Sequence, residues 1–273
     1  MIIWLASYPK SGNTWVKLFL NYLFSSKEEF NINSDHVGQF PLRKHFKNLT
    51  PNTETIQELG KYYTLAQEKL NLDNEIKIFK THNALWTLNN KYSFTNEKNT
   101  LGVIYIVRDP RNVVTSILNY YHKENYNSAL DFLKNDKVIG GTEEEIGIPT
   151  LIASWSNHYK SWKKFKKNYL LVRYEDLLSD PKNEFLKITN YLSSISHFKF
   201  ENQKILKAIN FCEFKNLSKE EDLHGFNANG EKNKLENRKF FNLGPKNKWE
   251  FFLSKDIQND IEHMFNDEMV ELK

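Results

Sequence analysis

The residues that follow Met1, Ile2-Ile3-Trp4-Leu5-Ala6, form a short apolar and partly β-branched run. Such a run reads as a buried strand. A polar loop from Ser7 to Gly12 comes next. From Thr14 to about Phe24 the apolar residues Trp15, Leu18, Phe19 and Tyr22 make the stripe of an amphipathic helix. The rest of the chain repeats this alternation of strand and helix. Ile76 to Phe79 is a second strand candidate, and Gly102 to Val107 is the clearest strand in the chain. Asp109-Pro110 then reads as a helix start, with Asp as cap and Pro in the first turn, and the helix runs to about Tyr121. Leu151 to Phe165 reads as another helix and Tyr169 to Val172 as a fourth strand. Asp180-Pro181 repeats the capped start, with a helix to about Leu192, and Lys255 to Phe265 reads as helical. Strands separated by helices predict an α/β fold in three layers, a central parallel sheet covered by helices on both faces. In such sheets ligands bind beyond the carboxyl ends of the strands.

Two segments lack periodicity, Asn31 to Thr53 and Lys123 to Pro149. Both are long for connections in a compact domain and read as functional loops or lids. A third stretch, Lys219 to Glu236, is polar and charged and reads as mobile.

A length of 273 residues suits one large α/β domain or two small ones, and the chain reads as a single domain over 1–273; 40% hydrophobic with 14% aromatic residues excludes a disordered chain. The formal charge of +4 is too weak to argue for nucleic acid, and suits either a solvated lysine-rich surface or a small polyanionic ligand. The one cysteine, Cys212, allows no disulfide within the chain and no thiolate cluster. No stretch reaches the roughly 18 apolar residues of a membrane span. The N-terminus also lacks a basic segment followed by an apolar one. A cytoplasmic location is the simple reading.

Every polar motif falls just after a predicted strand. Ser7 to Gly12 joins strand to helix, a turn that aims backbone N–H groups and a helix dipole at one place. Lys10 adds charge, and Ser11 and Thr14 add hydroxyls. A Walker A loop needs a leading Gly and then Gly-Lys-Ser/Thr; here Lys10 precedes Gly12 and the leading Gly is missing. An anion loop competes with an ordinary left-handed turn at Gly12. Arg108 ends the strongest strand, and Ser116 lies two turns along the next helix. Together they either converge on a second phosphate, or Arg108 pairs with Asp109 or caps a carbonyl. Phe79-Lys80-Thr81-His82 leaves the second strand, and His82 is either a structural hydrogen-bonder or a base of near-neutral pKa. No HExxH and no clustered Asp/Glu motif marks a metal site.

Tyr8-Pro9-Lys10-Ser11-Gly12-Asn13-Thr14-Trp15 resembles the 5′-phosphosulfate loop of sulfotransferases of the cytosolic type. These enzymes use 3′-phosphoadenosine 5′-phosphosulfate (PAPS) on a P-loop-like fold and release PAP. The resemblance implies that Lys10 bonds the bridging oxygen between phosphate and sulfate. It implies that Ser11, Gly12, Asn13 and Thr14 hold the 5′-phosphate and that Trp15 packs on the adenine. Arg108 to Ser116 resembles the family's 3′-phosphate motif. Lys80-Thr81-His82 resembles its catalytic motif, with His82 as base and Lys80 on the acceptor or the developing charge. Val172 to Leu177 resembles a strand end from which Tyr174 reaches the adenine, Asp176 fixing the turn. The implied activity is in-line, metal-independent transfer to the hydroxyl or amine of a small-molecule acceptor.

Trp155, His158 and Trp162 resemble a family helix. The two tryptophans, seven apart, share one helix face and read as core, and His158 reads as structural. Two regions depart from the family pattern. Cys212-Glu213-Phe214 stands where the family has Thr-Ser-Phe, so Cys212 lacks the usual hydroxyl and Phe214 is left to cover the second adenine face. Gly244 and Trp249 keep the family interval, but Asn242 and Leu243 replace an Arg-Lys pair. Lys246 is the first candidate to supply the missing charge, ahead of Arg238 and Lys239. The dimer motif is not recognisable in Glu250 to Asn259, which leaves a monomer or a homodimer with another interface. Two other functions stay open, a nucleotide kinase or NTPase and a catalytically silent nucleotide-binding protein. Phe40, Trp86, Tyr120 and Tyr121 read either as core or as an apolar acceptor pocket.

Overall fold

The computed structural model describes residues 1–26, 30–139, 148–226 and 239–273. β1 (Ile2–Ser7) passes through the Lys10 loop into α1 (Asn13–Phe24). β2 (Gly38–Gln39), α2 (Ile56–Gly60) and α3 (Tyr63–Leu70) precede β3 (Lys77–Thr81). A short antiparallel pair, β4 (Thr87–Leu88) and β5 (Tyr92–Ser93), leads to β6 (Thr100–Val107) and α4 (Pro110–Tyr120). Then come α5 (Tyr126–Lys134), a second antiparallel pair formed by β7 (Val138–Ile139) and β8 (Thr150–Leu151), and α6 (Trp155–Lys163). β9 (Tyr169–Arg173) continues into α7 (Tyr174–Ser179), α8 (Pro181–Ile195), α9 (Asn202–Phe211) and α10 (Phe214–His224). α11 (Lys255–Met264) and α12 (Asn266–Glu271) follow.

Five strands form one parallel sheet in the order β2-β3-β1-β6-β9. Alternate side chains of β1 and β6 enter two cores. Ile2, Trp4, Val103 and Tyr105 face the core built with α4, α5 and α6, which includes Trp155 and Trp162. Ile3, Leu5, Ile104 and Ile106 face the core built with α1, α8 and α9. Both faces of the sheet are therefore covered, which is the predicted three-layer α/β architecture, and a parallel sheet requires that cover. Among the described residues, no helix is long and apolar enough to cross a membrane.

The capped helix starts stand as read. The Asp109 side chain accepts from Arg111 N with Pro110 in the first turn, and the Asp180 side chain accepts from Asn183 N with Pro181 in the same place. Other expectations need correction. The helix expected from Leu151 begins at Trp155, because Thr150–Leu151 pairs with Val138–Ile139 and Ala153 takes a positive φ of 64°. Ser154 caps the true start. The segment from Lys123 contains α5, whose cap is Asn125. Asn31 to Thr53 contains β2, too short to leave a periodic signal. Lys219 to His224 is the helical end of α10 rather than an irregular stretch, and the remainder of that expectation, with Arg238, falls mainly outside the described residues.

Phe185 joins α8 to α1. It is fully buried, stacks on Phe19 at 4.0 Å and meets the Trp15 edge at 5.7 Å. Phe185→Ala is expected to cost about 3–5 kcal/mol. Urea unfolding followed by circular dichroism checks this, and a loss under 1 kcal/mol contradicts it.

Candidate active site

The carboxyl ends of β3, β1, β6 and β9 lie side by side because these strands are neighbours in register. They carry His82, the Lys10 loop, Arg108 and Tyr174 respectively, so four segments far apart in sequence meet at one edge of the sheet. The Lys10 loop makes its turn with two positive φ values, 66° at Lys10 and 99° at Gly12. Gly12 precedes α1, whose first N–H groups have no acceptor within the helix. The Tyr174 ring lies against Gly12, where a Cβ would come within 2.5 Å of it. Ser11 is fully buried, and its Oγ has no hydrogen-bond partner in the protein. The Asn13 side-chain donor is otherwise engaged, while its Oδ1 has no partner. Its Nδ2 donates to Leu5 O at 3.0 Å and to Ser7 Oγ at 3.1 Å, which pins α1 to β1 and leaves the backbone N–H as its means of holding an anion.

Arg108 caps a carbonyl instead of pairing with Asp109. Its Nη1 donates to Lys10 O at 3.0 Å, and its guanidinium lies 4.1 Å from the centre of the Tyr174 ring. Its Nε is buried without a partner. Asp109 is taken by Arg111, which also pairs with Glu262 and lies over the Trp249 ring at 4.0 Å. The Lys10 ammonium sits over the rings of Tyr120 and Phe240, at 3.8 and 4.7 Å. Burial, with Lys80 and Arg108 adding to it, lowers its pKa to about 7. Lys80 is 5% exposed, and burial, with Lys17 nearby, lowers it likewise to about 7.

His82 points one ring nitrogen at the loop. Its Nδ1 lies 2.8 Å from Ser7 O and 3.4 Å from Ser7 Oγ. A carbonyl only accepts, so Nδ1 carries the proton and Nε2 presents a lone pair. Burial, then Lys80, holds the imidazole well below its ordinary pKa, so the ring is neutral at pH 7.

The residues expected to enclose an adenine gather around Trp15. Trp15 Nε1 donates to Cys212 O at 2.8 Å, and the ring meets Tyr174 edge-on at 5.8 Å. The Cys212 side chain is fully buried and its thiol is pushed up by burial, so this residue serves the site through its carbonyl. Phe214 packs against Gly244, whose positive φ of 50° and missing Cβ admit the ring. Lys246 is exposed and Ser116 half-buried on α4. Lys239 pairs with Asp222. Phe40 belongs to the core, Tyr121 packs against that core and stacks on Phe132, and Trp86 lines a surface cavity with Lys160 and Lys163. No group of three or more His, Cys, Asp or Glu among the described residues gathers as a metal site.

Asn247 went unnoticed in the sequence. It is 9% exposed, accepts from Thr115 Oγ1 at 2.8 Å and donates to Asn112 O at 3.2 Å. Asn112 Oδ1 in turn accepts from Trp249 N at 3.0 Å. These bonds dock the Gly244–Trp249 segment on the helix that carries Ser116. The only signal was that Asn247 lies inside the Gly-to-Trp interval, and its residue type gave no further hint.

Gly12→Ala places a Cβ against Tyr174 at a φ that disfavours it, for about 1–3 kcal/mol of strain. The expected result is a lower melting temperature and at least tenfold weaker nucleotide binding by calorimetry. Wild-type values for both contradict the tight loop.

The sulfotransferase domain matches residues 2–273 of this chain. Among curated proteins, Cytosolic sulfotransferase 13 of Arabidopsis thaliana is 26% identical over 97% of this chain and 76% of its own length. Flavonol 3-sulfotransferase of Flaveria bidentis is 24% identical over 98% and 81%. Among solved structures, mouse sulfotransferase SULT7A1 complexed with PAP superposes with a TM-score of 0.60 at 21% identity, covering 98% of this chain and 83% of that one. Retinol dehydratase in complex with androsterone and PAP gives 0.58 at 17%, covering 97% and 80%. These likenesses are of fold, whereas the domain match spans nearly every residue, strand-end motifs included: this chain belongs to the sulfotransferase family.

Proposed function

We propose that residues 1–273 act as one domain that transfers a sulfuryl group from PAPS to the hydroxyl or amine of a small-molecule acceptor. The observation that carries the reading is the His82–Ser7 hydrogen bond, which leaves Nε2 as an acceptor beside the Lys10 loop. Two buried donors support an anionic ligand here, since Ser11 Oγ and Arg108 Nε have no partner within the protein. The PAP in the related solved structures supports the identity of that ligand.

PAPS supplies the sulfuryl group and a phosphate leaving group. Ser11, Thr14 and the N–H groups of Gly12 and Asn13 hold the 5′-phosphate at the start of α1. Arg108 and Ser116 hold the 3′-phosphate, with Lys246 and the docked Gly244 segment closing over it. Trp15, Tyr174 and Phe214 enclose the adenine, and Cys212 orients Trp15 through its carbonyl. His82 Nε2 takes the acceptor proton as the new bond to sulfur forms and the bridging oxygen–sulfur bond breaks in line. Lys10 offsets the charge left on the phosphate, and Lys80 faces the acceptor. No step calls for a metal, so EDTA should leave the rate unchanged. Relatives named as cytosolic support a cytoplasmic location. No nucleic acid partner enters this reading, and the assembly is a monomer or a homodimer with an interface of its own.

His82→Ala is expected to keep PAP binding and to lose about 10²–10⁴-fold in kcat. Undiminished transfer by this variant overturns the assignment of the base. PAP affinity should also depend on pH. Free Lys10 titrates near 7, and only its charged form suits an anion. Bound phosphate raises that pKa, so binding takes up a proton above pH 7. The association constant should then fall by up to about tenfold per pH unit as pH rises past 7. Calorimetry between pH 6 and 9 reads this, and Lys10→Arg should flatten the slope to the part that Lys80 contributes.

A further inference from the structure

His158 is a buried histidine for which the reaction has no use as yet. It is 0% exposed, and both of its ring nitrogens are engaged. Nε2 lies 3.2 Å from the main-chain oxygen of His82, and Nδ1 lies 2.8 Å from Tyr105 Oη. The carbonyl only accepts, so Nε2 carries the proton and Nδ1 accepts from the Tyr105 hydroxyl. Burial lowers its pKa to about 3, which keeps it neutral in that tautomer near pH 7.

The neighbouring bonds share a pattern. Trp162 follows one helical turn after His158, and its Nε1 donates to Asn83 O at 2.8 Å. Ser161 Oγ accepts from Leu85 N at 2.9 Å. Three side chains on one face of α6 thus hold three main-chain groups of the segment that carries His82. The grip also reaches the donor loop, because the Tyr8 ring meets the His158 ring edge-on at 5.7 Å, next to Ser7. His82 is therefore held twice: its ring by the Ser7 carbonyl, its own carbonyl by His158.

We infer that His158 is a positioning residue for sulfuryl transfer, aiming the His82 imidazole through the His82 main-chain carbonyl, with Tyr105 fixing the His158 tautomer. The inference rests on the reading of His82 as base. Loss of aim at a reacting centre is costly, and a 1 Å misplacement removes about 10²-fold in rate. The affected quantity is kcat, since both hydrogen bonds of the His158 ring go to Tyr105 and the His82 carbonyl and neither goes to a group assigned to the nucleotide.

The test compares His158→Leu, His158→Gln and Tyr105→Phe. His158→Leu removes the donor to His82 O and should lower kcat about 10–100-fold, with PAP affinity by calorimetry unchanged. His158→Gln supplies an N–H to His82 O and a carbonyl to the Tyr105 hydroxyl, and should recover kcat to within about threefold of wild type. Tyr105→Phe releases the tautomer and should lower kcat several-fold, which keeps the inference testable if His158→Leu does not fold. Nitrogen-15 spectra should show the His82 Nδ1–H form as the dominant one in wild type and in His158→Gln, and mixed with the other tautomer in His158→Leu. If the variants lose melting temperature but keep kcat, or if His158→Gln fares no better than His158→Leu, the inference fails. A wild-type rate in His82→Ala marks failure of the base assignment instead, and a low rate there with normal kcat in His158→Leu and Tyr105→Phe marks failure of the positioning role alone.

Discussion

The bond from His82 Nδ1 to the Ser7 carbonyl ties together the ends of two neighbouring parallel strands, β3 and β1. One of those ends starts the Lys10 loop and the other carries the candidate base. The same contact decides which imidazole nitrogen holds the proton, so the alignment of the strands becomes a chemical property of the site. Asn13 strengthens the arrangement by bonding Ser7 Oγ and the Leu5 carbonyl at once, which ties the start of α1 to β1. A base held this way needs no reorganisation before it accepts a proton.

Around that bond the site concentrates positive charge while leaving little to neutralise it. Burial does the larger share of the lowering at both lysines, with Lys80 and Arg108 adding to it at Lys10 and Lys17 at Lys80. Arg108 spends one N–H on the Lys10 carbonyl and rests on the Tyr174 ring, which itself lies on Gly12. The contacts run in a closed path from β6 to the loop to β9. Such a pocket keeps buried donors unpaired at Ser11 Oγ and Arg108 Nε and has little tolerance for a side chain at Gly12.

A second layer of structure stands behind the first. Asn247, Asn112 and Thr115 seat the Gly244 segment on α4, and α6 seats the His82 segment. Apart from the Thr115–Asn247 bond, which joins two side chains, these supports bond a side chain to a main-chain group, so the identity of the residue on the main-chain side is irrelevant to the bond. This is the reason such supports leave no motif around the residues they hold. Asn247 passed unnoticed and His158 read as merely structural, although each touches a segment assigned to the reaction.

Local chemistry was legible in the sequence. Apolar runs marked four of the five sheet strands, since strands buried on both faces must be apolar throughout. Asp-Pro pairs marked two helix starts through capping and a preset φ. The loop from Tyr8 to Trp15, Arg108 and His82 could be placed at strand ends by counting alone. The two-residue β2 and the helix hidden after Lys123 could not, because neither leaves enough periodicity to be seen against its neighbours. Only the tertiary structure decided the partners. It gave Asp109 to Arg111 and left Arg108 to the loop, turned the Cys212 thiol into the core while offering its carbonyl to Trp15, and set the tautomer of His82 with an oxygen 75 residues away. Hydrogen bonds between main-chain groups and distant side chains depend on strand order and register, and the sequence states neither.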